Sequence, residues 1–199
     1  MNFEGIIRFF LPIYFTIYFG FIFVFRSIKV ASTIKKNPVV FPNKNTAYGL
    51  IGYYMKLLIA LLFLYVLMHS LFPDSSFFKF PIIFYNIKFL GLLILVIAFI
   101  WSFLAQYNMK SSWRIGIDSE NKTELVTEGL FKFSRNPVFL GMISGLFGLF
   151  LLTPNFISLI ILILGYVLIQ IQVRLEEEYL VNIHDENYLD YCKRVRRWM

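Results

Sequence analysis

Residues 137–173 read PVFLGMISGLFGLFLLTPNFISLIILILGYVLIQIQV and contain no charged side chain. The apolar run at 137–152 is separated from the apolar run at 156–173 by Thr153, Pro154 and Asn155. An α-helix rises about 1.5 Å per residue, so about 20 residues cross the roughly 30 Å hydrocarbon core of a bilayer. The stretch therefore predicts a helical hairpin with a tight turn, whose first arm is short for a full crossing.

Three more apolar runs precede this hairpin, at residues 9–25, 49–72 and 82–105. Each is long enough to cross a bilayer, so we predict an all-α polytopic membrane protein with about five transmembrane helices. The composition agrees, because the 199 residues are 58% hydrophobic and only 16% charged. A soluble domain carries about 25% charged residues. A soluble enzyme, a disordered tail and a nucleic-acid-binding module are therefore excluded, and no nucleic-acid partner is expected.

The basic residues predict the orientation of the chain in the bilayer. The chain has 19 Lys and Arg residues, and 15 of them lie between runs one and two, between runs three and four, and after run five. The amino end and the loop near residues 73–81 offer only Arg8 and Lys79. Because basic residues concentrate in cytoplasmic loops, we expect the carboxyl end in the cytoplasm and the amino end outside.

The chain is predicted to be one domain, since it has no repeat and no Gly/Ser linker. Residues 1–105 form a three-helix membrane part, and residues 106–199 carry most of the polar side chains. Cys192 is the single cysteine, and His69 and His184 are the two histidines. These residues do not make a zinc-type ligand set, so no metal site is predicted.

The fourth apolar run begins Ser134-Arg135-Asn136-Pro137. Asn is a favoured N-cap and Pro a favoured first helical residue, so a helix is predicted to start at Pro137. Its first turn would be a natural site for an anion, with the charge of Arg135 beside it. The alternative is that Arg135 anchors the helix to lipid phosphates. The small residues Gly141, Gly145 and Gly148, with Gly165 facing them, are predicted to pack the hairpin.

Carboxylates follow the fifth run at Glu176, Glu177 and Glu178. They either continue a solvated helix or face a ligand cation at the membrane boundary, where unpaired charges are costly. Further on, aromatic and basic residues alternate from Tyr188 to Trp198. That pattern predicts a cytoplasmic C-terminal amphipathic helix on the inner leaflet, with a solvated tail as the alternative.

Residues 106–199 resemble the isoprenylcysteine carboxyl methyltransferase family, within a broader group that includes phospholipid N-methyltransferases. The matching runs are Ser112-Trp113-Arg114-Ile115-Gly116, Leu125-Val126-Thr127-Glu128-Gly129-Leu130-Phe131, Ser134-Arg135-Asn136-Pro137-Val138-Phe139-Leu140-Gly141 and Glu176-Glu177, followed by Tyr188, Tyr191, Arg194 and Val195. Each run is a weak signal alone, but their order and spacing together are fairly specific.

The resemblance implies an S-adenosyl-L-methionine-dependent methyltransferase with an active site that faces the cytoplasm. The cofactor-binding residues that it implies are Gly116, Glu124, Leu125, Val126, Gly129, Phe131, Asn136, Pro137, Val138, Phe139, Glu176, Glu177 and Tyr188. Arg135 and Arg174 are the residues expected near the polar head of the acceptor. The acceptor itself is expected to be a lipophilic small molecule that enters from the lipid bilayer.

The chain departs from the family pattern at two informative positions. Asp185 stands where the family usually has Gly, and Gln172 stands where members that methylate prenylated cysteine carry an Arg. The open alternatives are carboxylate O-methylation of an isoprenylcysteine-like acceptor, phospholipid-type N-methylation and methylation of a small thiol. A non-catalytic membrane scaffold that keeps the fold is the alternative from another functional class.

Overall fold

A computed structural model describes residues 3–40, 45–72, 75, 85–114, 116 and 124–199. Helix α1 (Phe3–Phe19) continues through a π-helical stretch (Gly20–Phe25) into α2 (Arg26–Ile34). This continuous helix of 32 residues is about 48 Å long, more than the thickness of the hydrocarbon core. One end of it must therefore project beyond the hydrocarbon core.

The remaining long helices are α3 (Ala47–Leu71), α4 (Tyr85–Asn108), α5 (Pro137–Leu152) and α6 (Phe156–Arg194). The α1–α2 rod, α3, α4 and α6 are long and apolar enough to cross a membrane, and α5 is a shorter apolar helix. The expected all-α membrane protein with a short fourth segment is therefore confirmed. Two short 3₁₀ turns, Lys110–Ser112 and Gly129–Lys132, lie in the connection between α4 and α5.

The turn between α5 and α6 is fixed by side-chain hydrogen bonds. The backbone N–H of Ser158 donates to the side chain of Asn155 at 2.9 Å. In return, the backbone N–H of Asn155 donates to the hydroxyl of Ser158 at 3.2 Å. This capping box satisfies amides at the start of α6. Tyr65 of α3 donates to the Thr153 hydroxyl at 2.8 Å, so the turn is also joined to α3.

The glycines pack a different pair of helices from the pair that we expected. A Cβ on Gly148 of α5 would lie 3.0 Å from the backbone of Gly91 and Leu95 in α4, and one on Gly141 would overlap the Ser102 hydroxyl of α4. Gly165 of α6 instead receives the side chain of Leu146. Small residues therefore let α5 lie against α4, and the contact between α5 and α6 relies on a side chain inserted over Gly165.

The expected C-terminal amphipathic helix is part of α6, which continues to Arg194 with one break at Asp185 (φ 44°, ψ −124°). Tyr188 and Tyr191 beyond the break are almost fully buried in the protein. The expectation that these two aromatics lie on the inner leaflet is corrected, because they pack against the site described below.

Candidate active site

A cavity of about 100 Å³ lies where the end of α4, the start of α5 and the second half of α6 meet. Its walls come from the connection after α4, from the start of α5 and from both sides of the break in α6. The lining residues are Met109, Ser112, Arg114, Gly116, Glu124, Leu125, Val126, Phe131, Arg135, Asn136, Glu176, Tyr179, Leu180, Tyr188 and Tyr191. The cavity thus combines carboxylates, aromatic rings and aliphatic side chains.

Helix α5 begins at Pro137, as predicted, but Asn136 does not cap it with its side chain. The Asn136 amide instead donates from Nδ2 to Glu177 Oε1 at 2.9 Å and, at 3.4 Å, to the carbonyl of Arg197. The backbone N–H of Asn136 donates to the Ser134 hydroxyl at 3.1 Å. Asn136 therefore joins the start of α5 to α6 and to the C-terminal tail.

The guanidinium of Arg135 forms an ion pair and hydrogen bonds within the protein. Its guanidinium donates to both carboxylate oxygens of Glu177 at 3.1–3.3 Å and to the carbonyl of Val195 at 2.8 Å. Its backbone N–H donates to the carbonyl of Arg196 at 3.0 Å. The prediction that Arg135 adds its charge to an anion site at the start of α5, and the alternative that it anchors the helix to lipid phosphates, are both corrected, because this side chain is mostly buried in an ion pair with Glu177.

Glu177 is the acceptor at the centre of this polar cluster. Besides Arg135 and Asn136, the guanidinium of Arg197 donates to Glu177 Oε2 from two nitrogens, at 2.8 and 3.0 Å. Burial alone would raise the pKa of Glu177, but the hydrogen bonds from Arg197 and Asn136 and the charge of Arg135 lower the pKa overall. Glu177 therefore stays ionised and holds the tail against the start of α5.

Glu176, one residue earlier, is in the opposite electrostatic situation. It lies beyond the apolar part of α6 at residues 156–173, and its carboxyl lines the cavity. Burial raises the pKa of Glu176 to about 7, and the neighbouring Glu177 carboxylate adds to the rise. A cation placed in the cavity would favour the ionised carboxylate, so Glu176 is suited to recognise positive charge.

Another part of the cavity wall comes from the strip at residues 124–126 and from the turn Gly129–Lys132 that follows it. Phe131 of that turn lines the cavity, and its carbonyl accepts a hydrogen bond of 2.6 Å from the Tyr191 hydroxyl. Burial raises the pKa of both Tyr188 and Tyr191, so both phenols stay neutral. The part of α6 beyond Asp185 thereby closes the cavity over Phe131.

Comparison with known proteins assigns this chain to a family. A family model described as phospholipid methyltransferase matches residues 87–187, which are 101 of the 199 residues. The chain belongs to the phospholipid methyltransferase family. It is also similar to Protein-S-isoprenylcysteine O-methyltransferase of Saccharomyces cerevisiae, with 28% identity over 130 residues. That alignment covers 63% of this chain and 54% of the yeast protein, so the match spans about half of that relative.

In this member of the phospholipid methyltransferase family, the cavity brings together eight of the residues predicted to bind the cofactor. They are Gly116, Glu124, Leu125, Val126, Phe131, Asn136, Glu176 and Tyr188. Gly129, Pro137, Val138, Phe139 and Glu177 do not line it. Two arginines were expected near the acceptor. Arg135 lines the cavity but is paired with Glu177. Arg174 is exposed, does not line the cavity and donates a hydrogen bond of 2.7 Å to the side chain of Gln170.

Several residues of this family member line the cavity without having been predicted. Tyr179 and Leu180 follow the three carboxylates on α6, and no run that matches the family pattern includes them. Tyr191 belongs to the spaced tyrosine pair of the family pattern, which was the available signal for it. Ser112 and Arg114 belong to the first run that matches the family pattern, whereas Met109, which directly follows α4, belongs to no matching run.

Proposed function

We propose that this protein transfers a methyl group from S-adenosyl-L-methionine to a lipophilic acceptor at the membrane surface. The observation that carries the proposal is the position of Glu176 in a cavity that is also lined by the aromatic residues Phe131 and Tyr188, where burial raises the pKa of its carboxyl. Membership of the phospholipid methyltransferase family and similarity to the yeast O-methyltransferase support the same reaction class.

The residues that line the cavity fit the chemistry of this cofactor. When bound, S-adenosyl-L-methionine supplies a methyl group on a positively charged sulfonium. Glu176 would face the positive charge, and the rings of Phe131 and Tyr188 would cover the adenine. Glu177 serves indirectly, because its ion pair with Arg135 fixes the wall that carries Asn136.

The predicted binding site for the polar head of the acceptor has to be revised. Arg135 is neutralised by Glu177, and Arg174 does not line the cavity and donates to Gln170, so neither is placed to bind an anionic head. Methyl transfer is an in-line displacement in which positioning supplies much of the rate. A carboxylate acceptor arrives ionised and needs no base, whereas an amine must lose its proton first. For an amine acceptor, the ionised Glu176 carboxylate in the cavity would accept that proton.

Cofactor binding tests the proposal directly. Purified protein in detergent should bind S-adenosylhomocysteine, and Glu176→Gln should weaken that binding. The loss of one charge-assisted hydrogen bond costs about 1.5–3 kcal/mol, or roughly 10- to 150-fold in affinity. Glu178→Gln, which alters the exposed neighbouring carboxylate, is the matched control. Absence of binding by the wild type would favour the non-catalytic scaffold.

The position of the cavity supports the proposal that the acceptor is lipophilic. The cavity lies beside the apolar helices, so an acceptor with a hydrophobic tail could enter it sideways from the bilayer. Each buried methylene contributes about 0.8 kcal/mol, so a long-tailed acceptor should exceed its short-tailed form in kcat/KM by orders of magnitude. The assay compares tails on one head group, with carboxylate and amine heads measured in parallel. Equal kcat/KM for short and long tails would point instead to a small soluble acceptor.

The sidedness is a separate part of the proposal, supported by the 15 basic residues that lie in two of the connections and after the fifth run. The site and the carboxyl end should face the cytoplasm, and the amino end should lie outside. Reporter fusions at Met199 and near Ser75 should therefore report opposite sides of the membrane. The same side for both fusions would contradict a five-crossing topology.

A further inference from the structure

The inner end of α4 contacts two separate parts of the cavity wall through Trp101 and Asn108. Neither residue lines the cavity itself. They are seven residues apart, and at 100° per residue their side chains leave the helix within about 20° of each other. One face of one rigid helix therefore contacts both the start of α5 and the turn that carries Phe131.

Trp101 fixes the start of α5. Its indole Nε1 donates to the carbonyl of Pro137, the first residue of α5, at 2.9 Å. A Cβ on Gly141, one turn further along α5, would lie 3.2 Å from the Trp101 ring and would overlap the Ser102 hydroxyl. The missing side chain at Gly141 lets the indole approach closely, and Asn136 of the cavity wall directly precedes Pro137.

Asn108, the last residue of α4, fixes the other wall. Its Oδ1 accepts from the backbone N–H of Leu130 at 3.0 Å. Gly129 adopts φ +63°, and a Cβ there would overlap the Asn108 amide. The amide group thus lies directly against the backbone of the turn, one residue before Phe131. The strip at 124–126, which also lines the cavity, precedes this turn in the sequence.

We propose that Trp101 and Asn108 are positioning residues that set the separation between the two walls of the cofactor cavity. The proposal rests on the function proposed above. Because both side chains belong to α4, a shift of either wall requires the loss of a hydrogen bond to that helix. The cavity width is thereby set by α4, none of whose described side chains, at residues 87–108, lines the cavity.

Three substitutions test this proposal. Trp101→Phe keeps an aromatic ring and removes the N–H, Asn108→Leu keeps the size and removes the acceptor, and Asn108→Asp keeps the acceptor. Tyr107→Phe, on an exposed side chain next to Asn108, is the matched control. Loss of a neutral hydrogen bond should weaken S-adenosylhomocysteine binding about two- to twelvefold in the first two variants, with affinity restored in Asn108→Asp.

Hydrogen exchange of the protein without ligand provides the second readout. The Leu130 amide should exchange faster in Asn108→Leu than in the wild type, Asn108→Asp or Tyr107→Phe. Unchanged exchange at Leu130 in Asn108→Leu would overturn the proposal, and so would faster exchange with unchanged affinity. A wild type that binds no S-adenosylhomocysteine would contradict the proposed function, and the exchange measurement would still decide whether Asn108 holds the turn.

Discussion

Replacement of Glu177 by Gln should destabilise the protein strongly, because it leaves the Arg135 guanidinium buried without its counter-charge. The Glu177 and Arg135 side chains are only 10% and 12% exposed, and removal of one partner of such a buried pair costs about 3–5 kcal/mol. Arg197 is 36% exposed, so its pairing with Glu177 adds about 0–1 kcal/mol. Gln keeps one acceptor oxygen, which favours the lower end, about 3 kcal/mol.

For a chain of this size, 1 kcal/mol shifts the Tm by about 2–4 °C, so Glu177→Gln should lower the Tm by roughly 6–12 °C. Thermal unfolding of the detergent-solubilised protein, followed by intrinsic fluorescence, measures this shift. Glu178→Gln changes an exposed neighbour and should stay within about 0.5 kcal/mol of the wild type. Equal Tm values for the two variants would refute the assignment of Glu177 as the centre of the polar cluster.

Three further predictions concern the backbone, the packing and the charge of the site. Asp185 has φ 44°, where side chains are strained by about 1–3 kcal/mol, so Asp185→Gly should raise the free energy of unfolding by about 1 kcal/mol in chemical denaturation. Gly91→Ala should destabilise the protein by about 1–3 kcal/mol, because the new Cβ would lie 2.5 Å from the backbone nitrogen of Leu152. Gly52 has open space around it, so Gly52→Ala should not destabilise the protein. A comparison of the Tm values of the two variants checks the contact between α4 and α5. Burial raises the pKa of Glu176 to about 7, and only the ionised carboxylate attracts a cation. The affinity for S-adenosyl-L-methionine should therefore rise about tenfold from pH 6 to pH 8. Calorimetry should find this rise in the wild type and not in Glu176→Gln.

The membrane helices were predictable from the sequence because each contains a long, mainly apolar run. Pro137 marks the start of α5, and Thr153, Pro154 and Asn155 form the turn before α6, as expected. The partner of α5 was not predictable. Glycine spacing shows that a helix has a face open to close approach, but it does not say which helix fills that face.

The candidate site was predictable as a set of segments and less so residue by residue. Glu176 and Glu177 are neighbours of the same type, yet consecutive positions on a helix point about 100° apart. One carboxyl therefore lines the cavity and the other lies among Arg135, Asn136 and Arg197. That arrangement depends on the break at Asp185, which is followed by the tail that brings Arg197 back to Glu177.

Transfer of a tritiated methyl group from S-adenosyl-L-methionine is the most direct measurement of the proposed reaction. The purified protein would be incubated with a membrane lipid extract and with a set of prenyl-cysteine analogues, and radioactivity would be counted in the organic phase. We predict label in a lipophilic product with the wild type and with Glu178→Gln, and at least tenfold less label with Glu176→Gln when the cofactor is held below its Kd. A wild type that binds S-adenosylhomocysteine but labels only water-soluble acceptors would contradict the lipophilic acceptor, and one that neither binds nor transfers would contradict the enzyme itself.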